Sequence, residues 1–174
     1  MNNRLPEALL ANAPHPSLGE HADTYGRLIG SWIGEARNHT PDGPAQSASI
    51  EVHFSWALDG RAVLDAWITP ARSDRASGQT ARMHWFGTTL RVFDPATESW
   101  RATWWDPESA VRCDLQGFRQ GDDIVQIGRH GDRTIRWTFS RIVRDSLLWQ
   151  GHVLEHDGVA WRMEAEVRLR RNPG

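Results

Sequence analysis

The sequence contains no lysine, one cysteine and one tyrosine, and the first two shortages each exclude a class of chemistry. Without lysine, neither a Schiff-base mechanism nor a lysine-containing phosphate loop is available. With Cys113 alone, the chain cannot form an internal disulfide bond or a cysteine-rich zinc site. No apolar run approaches the roughly 20 residues that a membrane-spanning helix needs.

The charges are balanced and carry no strong sign. The 20 basic residues are all arginine, 22 residues are acidic, and the net charge is −2, which argues against nucleic-acid binding and against intrinsic disorder. A chain of 174 residues is about one domain. Residues 1–16 lack the basic and apolar regions of a secretory leader, so they are expected to be a flexible arm before a single cytoplasmic domain at 17–174.

Tryptophan is the residue in surplus, with ten copies in the chain. Aromatic walls with a few polar groups are typical of small-ligand pockets, so the surplus is compatible with a cavity lined by indoles. An ordinary aromatic core explains the same count. The composition leaves both interpretations open.

The predicted secondary structure changes from helical to strand periodicity near residue 30. Ser17 and Glu20 have the spacing of a capping box, which predicts a short helix at about 18–29. Beyond it, apolar and polar residues alternate in short runs separated by turn pairs such as Asp59-Gly60 and Gly131-Asp132. This pattern predicts ten strands, at 31–38, 48–57, 61–69, 81–93, 98–105, 110–118, 123–129, 133–142, 146–154 and 160–169.

Ten consecutive short strands after one helix favour a mainly β fold, an up-and-down antiparallel barrel. Closure removes the exposed edges that an open sheet of this length would present. A barrel with more than eight strands is wide enough to hold a cavity. A β-sandwich is the alternative architecture.

The start of the first predicted strand resembles the opening of calycins, the superfamily of lipocalins and fatty-acid-binding proteins. Gly30-Ser31-Trp32 follows the short helix as Gly-x-Trp does in that superfamily. The resemblance implies that Trp32 closes one barrel end beneath an arginine of the last strand. Arg168 and Arg170 are the expected arginines, and stacking on the indole would be a cation–π contact.

Further runs resemble a bacterial family of lipocalin-like proteins without an assigned activity. They include residues 56–67, 86–95 and 100–104, and the likeness extends over about 28–171. Nitrobindin-like haem barrels have a similar segment at Met83-His84, but they carry a glycine-rich first strand and a haem-ligating histidine near the C-terminus. This chain has Arg162-Met163-Glu164 late in the sequence, so no cofactor is expected and haem is a lesser alternative.

Asp65 and His84 are the candidate acid–base groups. Alternation places Asp65 and Trp67 on one face of their strand, so an inward Trp67 implies an inward carboxylate, either paired with arginine or with a raised pKa. An outward Asp65 would merely be solvated. His84 lies among apolar residues and is either a proton-transfer group or a hydrogen-bonded structural histidine.

Three arginines lie in the middle of predicted strands. Arg91 is expected either to be buried against an acidic partner or anionic ligand, or to be exposed. Arg101 and Arg136 are expected in an exterior ladder with Glu51, Glu98 or Glu164. No spacing typical of a metal site or of a nucleophilic elbow is present, and Cys113 is expected to be a buried, inert thiol.

These observations favour binding of a small, largely apolar ligand, which would carry a carboxylate if Arg91 anchors it. The expected wall and anchors are Trp56, Trp67, Trp85, Trp105, Arg91 and His84 or Asp65. The alternative is a cyclase, isomerase or hydrolase that uses Asp65 and His84 in the same cavity. Neither a nucleic acid nor a membrane is an expected partner, and Trp100 or Trp149, if exterior, would offer a homodimer surface.

Overall fold

The computed structural model describes residues 4–41, 43–76 and 83–173. Short helices and eleven strands follow one another in this part of the chain. They are α1 (Leu5–Leu9), β1 (Leu10–Ala11), a 3-10 helix (Pro16–His21), α2 (Ala22–Gly26), β2 (Gly30–Asn38), β3 (Gln46–Ala57), β4 (Ala62–Thr69), α3 (Arg72–Ala76), β5 (Trp85–Asp94), β6 (Ser99–Asp106), β7 (Val111–Gln120), β8 (Asp123–His130), β9 (Arg133–Ser140), β10 (Ser146–Leu154) and β11 (Trp161–Arg171).

Ten of these strands, β2 to β11, form a closed antiparallel barrel. Each strand pairs with the next in the chain, and β11 pairs with β2 to complete the circle. The predicted up-and-down barrel is therefore confirmed, and the sandwich alternative is wrong because no break divides the sheet. The fourth predicted strand, 81–93, is observed from Trp85, and residues 81–82 lie outside the described residues.

The N-terminal helix differs from its prediction. The segment expected to be one helix at 18–29 is a 3-10 helix followed by α2, because Gly19 has a positive φ of 51° and interrupts the helical path. The N-cap is His15, whose Nδ1 accepts the Ser17 N–H, so Ser17 does not cap in the way a capping box requires. Within the segment expected to be an arm, α1 forms and β1 pairs with the end of β3. None of the helices in the described ranges has the length and apolar character to cross a bilayer.

One barrel end is filled by side chains. Tyr25 of α2 and Leu28 are completely buried there, together with Trp32 of β2 and Phe139 of β9. Trp100 also points inward and meets the Tyr25 ring edge-on, with 5.2 Å between centroids. The homodimer surface expected at Trp100 or Trp149 is therefore wrong in its residues, since both indoles are buried.

The arginine that covers Trp32 is Arg171. Its guanidinium carbon lies 4.1 Å from the centroid of the Trp32 ring, and its Nη1 donates to the carbonyl of Ile29 at 2.7 Å. The expectation of Arg168 or Arg170 is wrong because alternation along β11 turns residues 167, 169 and 171 inward and exposes those two arginines. Arg168 instead pairs with Glu166.

Gly30 explains the glycine of the Gly-x-Trp pattern. Its φ is 124°, a conformation that residues with a side chain rarely adopt, and a Cβ atom there would lie 2.6 Å from Arg171 Nη1. The glycine thus lets the arginine reach over the indole. The Gly-x-Trp pattern therefore follows from the closure of this barrel end by Arg171 over Trp32.

Candidate functional site

The other barrel end contains a cavity of about 430 Å³, within the usual range of small-molecule sites. It is bounded by the end of β2 and by residues of β4 to β11. Five indoles line it, those of Trp67, Trp85, Trp104, Trp137 and Trp149. Half of the ten tryptophans of the chain therefore meet in one place.

Trp149 is the centre of this tryptophan wall. Its ring centroid lies 5.4 Å from Trp67, 5.7 Å from Trp137 and 6.3 Å from Trp85. Trp104 extends the wall through an edge contact of 6.2 Å with Trp137. Contacts of this kind stabilise aromatic pairs beyond simple area burial, so the wall is a preformed apolar surface.

A glycine gives Trp104 its place. A Cβ atom on Gly87 of β5 would lie 2.3 Å from the Trp104 ring and 2.5 Å from the carbonyl oxygen of Trp105. The indole therefore lies directly against the β5 backbone. Any larger residue at position 87 would displace this part of the wall.

The structure places only part of the predicted wall at the cavity. Trp67 and Trp85 line it, whereas Trp56 is buried at the filled end, beside Gly26 of α2. Trp105 is 50% exposed, outside the barrel, and Arg112 lies over its ring at 5.4 Å. Strand alternation explains the position of Trp105, because on β6 its neighbour Trp104 points inward and the next residue must face solvent.

Asp65 and Arg91 form a buried ion pair between β4 and β5. The Arg91 Nη1 donates to Asp65 Oδ2 at 2.6 Å, and the Thr89 N–H donates to Asp65 Oδ1 at 2.7 Å. Arg91 also lies 5.0 Å from the centroid of Tyr25, whose pKa is raised to about 12 by burial despite the opposing effect of this arginine. Both oxygens of Asp65 are thus occupied, and the residue does not line the cavity.

Arg91 reaches the cavity, but its charge is already matched by Asp65. A ligand carboxylate would have to compete with that carboxylate for the guanidinium. Of the two positions expected for Arg91, buried or exposed, the structure shows the buried one.

Arg101 is exposed and pairs with Asp94 at 2.7 Å, and Arg136 lies over Trp161 at 4.4 Å. Neither arginine therefore pairs with the glutamates expected in a ladder.

Histidines contribute to the polar part of the cavity. His84 is exposed and lines it with His39, His130 and His152. The pKa of His152 is lowered, first by burial and then by the nearby Arg136. Its Nδ1 is buried and accepts or donates no hydrogen bond within the described residues. The structure therefore brings His84 to the cavity without its expected acid–base companion, Asp65.

Asp106 is a cavity residue that sequence reasoning missed. It is the last residue of β6, only 4% exposed, and its Oδ1 accepts the Glu108 N–H at 3.0 Å. No arginine or histidine of the described ranges lies within ion-pair distance of it. The sequence does contain a signal for this placement, because strand alternation puts Asp106 on the same face of β6 as Trp104.

Cys113 of β7 also lines the cavity, and burial raises the pKa of its thiol to about 11, with Asp114 adding to the effect. At pH 8 we expect it to react with iodoacetamide on the order of a hundredfold more slowly than an ordinary thiol, because so little thiolate is present. Intact-mass measurement over time checks this rate, with the guanidinium-unfolded chain as the control. Equally rapid labelling of the folded protein would contradict the prediction.

Over residues 4–41, 43–76 and 83–173, no group of three or more histidine, cysteine or acidic side chains is arranged to hold a metal ion. The chain also holds no histidine on β11, where Met163 and Glu164 stand.

Comparisons with known proteins identify the fold and no family. No family model matches the chain, and no curated protein matches it. Among solved structures, the S-type phycobiliprotein lyase CPES from Guillardia theta is 11% identical with a TM-score of 0.60, covering 87% of this chain and 92% of its own. Rv2717c from M. tuberculosis is 17% identical with a TM-score of 0.63, covering 91% and 99%. At these identities both likenesses show the fold alone, and each extends over most of the barrel described here.

Proposed function

We propose that this barrel binds a small, largely apolar molecule in the tryptophan-walled cavity. The observation that carries the proposal is the coincidence of a cavity of about 430 Å³ with five converging indoles. Transfer of apolar ligand surface from water to such a wall is favourable at roughly 25 cal/mol per Å². The aromatic contacts among the indoles hold the wall in place before the ligand arrives, which lowers the ordering cost of binding.

The polar lining would orient the ligand. His39, His84, His130 and His152 offer ring nitrogens, and two of them, His130 and His152, stand on barrel strands. The likeness to a barrel described as a phycobiliprotein lyase supports a ligand-binding use of this architecture. A carboxylate-bearing ligand gains little support, since Asp65 already occupies Arg91.

The enzyme alternative is less well supported by the geometry. A cyclase, isomerase or hydrolase would need Asp65 and His84 at the same substrate, but Asp65 has both oxygens occupied and lies outside the cavity lining. The haem alternative would need an axial histidine, and both His39 Nε2 and His152 Nδ1 are without a hydrogen-bond partner within the described residues. A Soret band on hemin addition that is lost in His39→Ala or His152→Ala would favour it. The cytoplasmic location and a homodimer stay predictions.

Filling the cavity is expected to abolish binding. Ala165 of β11 is buried and lines the cavity, so Ala165→Phe places a ring in the space proposed for the ligand. We expect the neutral fluorescent probe N-phenyl-1-naphthylamine to bind the unmodified protein and to bind this variant at least about tenfold more weakly, a loss of about 1.4 kcal/mol or more. Tryptophan-to-probe energy transfer in a titration measures the affinity.

Ala160→Phe is the matched control, because Ala160 is exposed in the turn before β11 and gains the same ring outside the cavity. Circular dichroism of both variants monitors the barrel. Equal probe affinity in Ala165→Phe and the unmodified protein, with the barrel intact, would contradict the proposal.

A further inference from the structure

The charges around the cavity are matched except at one residue. Arg91 is paired with Asp65, and Glu164 accepts from Arg133 at 2.5 Å and from Arg162 at 3.3 Å. Asp106 has no such partner in the ranges that the structure describes. The cavity therefore contains one carboxylate whose charge no described side chain balances.

The position of Asp106 makes this imbalance costly. The side chain is 96% removed from solvent, since its exposed fraction is 4%, and its single described hydrogen bond comes from the Glu108 N–H. A buried carboxylate without a counter-charge is unfavourable unless another group compensates it. The buried Nδ1 of His152 has no described hydrogen-bond partner, and the pKa of this lining histidine is lowered, first by burial and then by Arg136, which disfavours a positive charge on its ring near neutral pH.

The surroundings of Asp106 favour a cation as the compensating group. Trp104 precedes it by two residues on the same face of β6 and contacts Trp137 edge-on. Indole faces carry negative electrostatic potential and attract organic cations, most strongly when water is excluded. A carboxylate in a cavity lined by five indoles is a combination that neither an anion nor a neutral hydrocarbon exploits.

We infer that the ligand of this cavity carries an organic cationic group, an ammonium or alkylated ammonium, which Asp106 neutralises while its apolar remainder contacts the tryptophan wall. This inference rests on the proposed function and gives the chemical class of the ligand. The expected anchor therefore changes from the cationic Arg91, which would hold an anionic ligand, to the anionic Asp106, which holds a cationic one. The recognised feature is one positive charge joined to an apolar body.

Three matched compounds test the charge preference. Benzyltrimethylammonium and neopentylbenzene have the same shape and differ by the positive charge, and phenylacetate supplies a negative one. Each compound competes with N-phenyl-1-naphthylamine for the cavity in the fluorescence assay. We expect benzyltrimethylammonium to displace the probe at a concentration about tenfold or more below that of the other two, although neopentylbenzene is the more hydrophobic.

Asp106→Asn tests the residue. Asparagine keeps an oxygen for the Glu108 N–H and removes only the charge. We expect the affinity for benzyltrimethylammonium to fall on the order of 10- to 100-fold, with that for neopentylbenzene nearly unchanged. Asp157→Asn is the control, because Asp157 also accepts a turn N–H two residues on, from Val159 at 2.9 Å, but is exposed and outside the cavity.

The outcomes separate this inference from the proposed function. Tighter binding of neopentylbenzene or phenylacetate than of the cation would overturn the inference while leaving a ligand-binding cavity. An unchanged cation affinity in Asp106→Asn would overturn it as well. Failure of the probe and of all three compounds to bind the unmodified protein would instead overturn the proposed function.

Discussion

Asp65→Asn is expected to lower the free energy of unfolding by about 3–5 kcal/mol, because it leaves the buried Arg91 guanidinium without its counter-charge. The asparagine oxygen still accepts the Thr89 N–H, so the loss reports the ion pair rather than the backbone contact. Both side chains of the pair are within 1% of complete burial, which prevents water from compensating the charge. Urea unfolding followed by tryptophan fluorescence measures the change.

The double variant Asp65→Asn with Arg91→Met is the control for this prediction. It removes the uncompensated charge and retains an unbranched apolar side chain beside Tyr25 and Phe54, the rings that Arg91 covers. We expect it to recover about 1–3 kcal/mol of the loss. A double variant that is less stable than Asp65→Asn alone would show that the unpaired charge is not the cause.

Arg171→Ala is expected to lower the free energy of unfolding by about 2–3 kcal/mol, the second largest effect. The substitution removes the cation–π contact with Trp32 and the hydrogen bonds to the carbonyls of Ile29 and Arg144, both at 2.7 Å. It also uncovers one face of the Trp32 indole, which is completely buried near the start of β2. Chemical unfolding again provides the measurement.

Arg170→Ala is a closely matched control, because Arg170 is the preceding residue and is exposed. A surface substitution of this kind usually changes stability by less than about 0.5 kcal/mol. Equal effects of the two substitutions would contradict the assignment of Arg171 as the residue that closes the barrel.

The barrel itself was predictable because its signals are local. Period-two alternation and turn residues mark each strand, and consecutive strands joined by short turns pair with their neighbours. The break in the first helix was not predictable from Ser17 and Glu20, since the capping spacing says nothing about the backbone at Gly19. There the positive φ of 51° decides the outcome.

The candidate site was only partly predictable, because it depends on which face of each strand is inside. On β6, the polar Arg101 and Thr103 share a face with Trp105, so alternation assigns Trp104 and Asp106 to the interior. This inward placement is readable from the sequence of β6 alone. The pairing of Asp65 with Arg91 is different, because it requires the register between β4 and β5, which the sequence of either strand does not contain.

The contact of Arg171 with Ile29 joins positions 142 apart in the chain. All the other barrel pairings join strands that are consecutive in the chain. The pairing of β2 with β11 therefore closes the longest loop and has the largest cost in loop-closure entropy. High contact order of this kind slows folding. Until β2 and β11 pair, each strand presents an unpaired edge to other molecules. Aggregation competes with barrel closure during that interval.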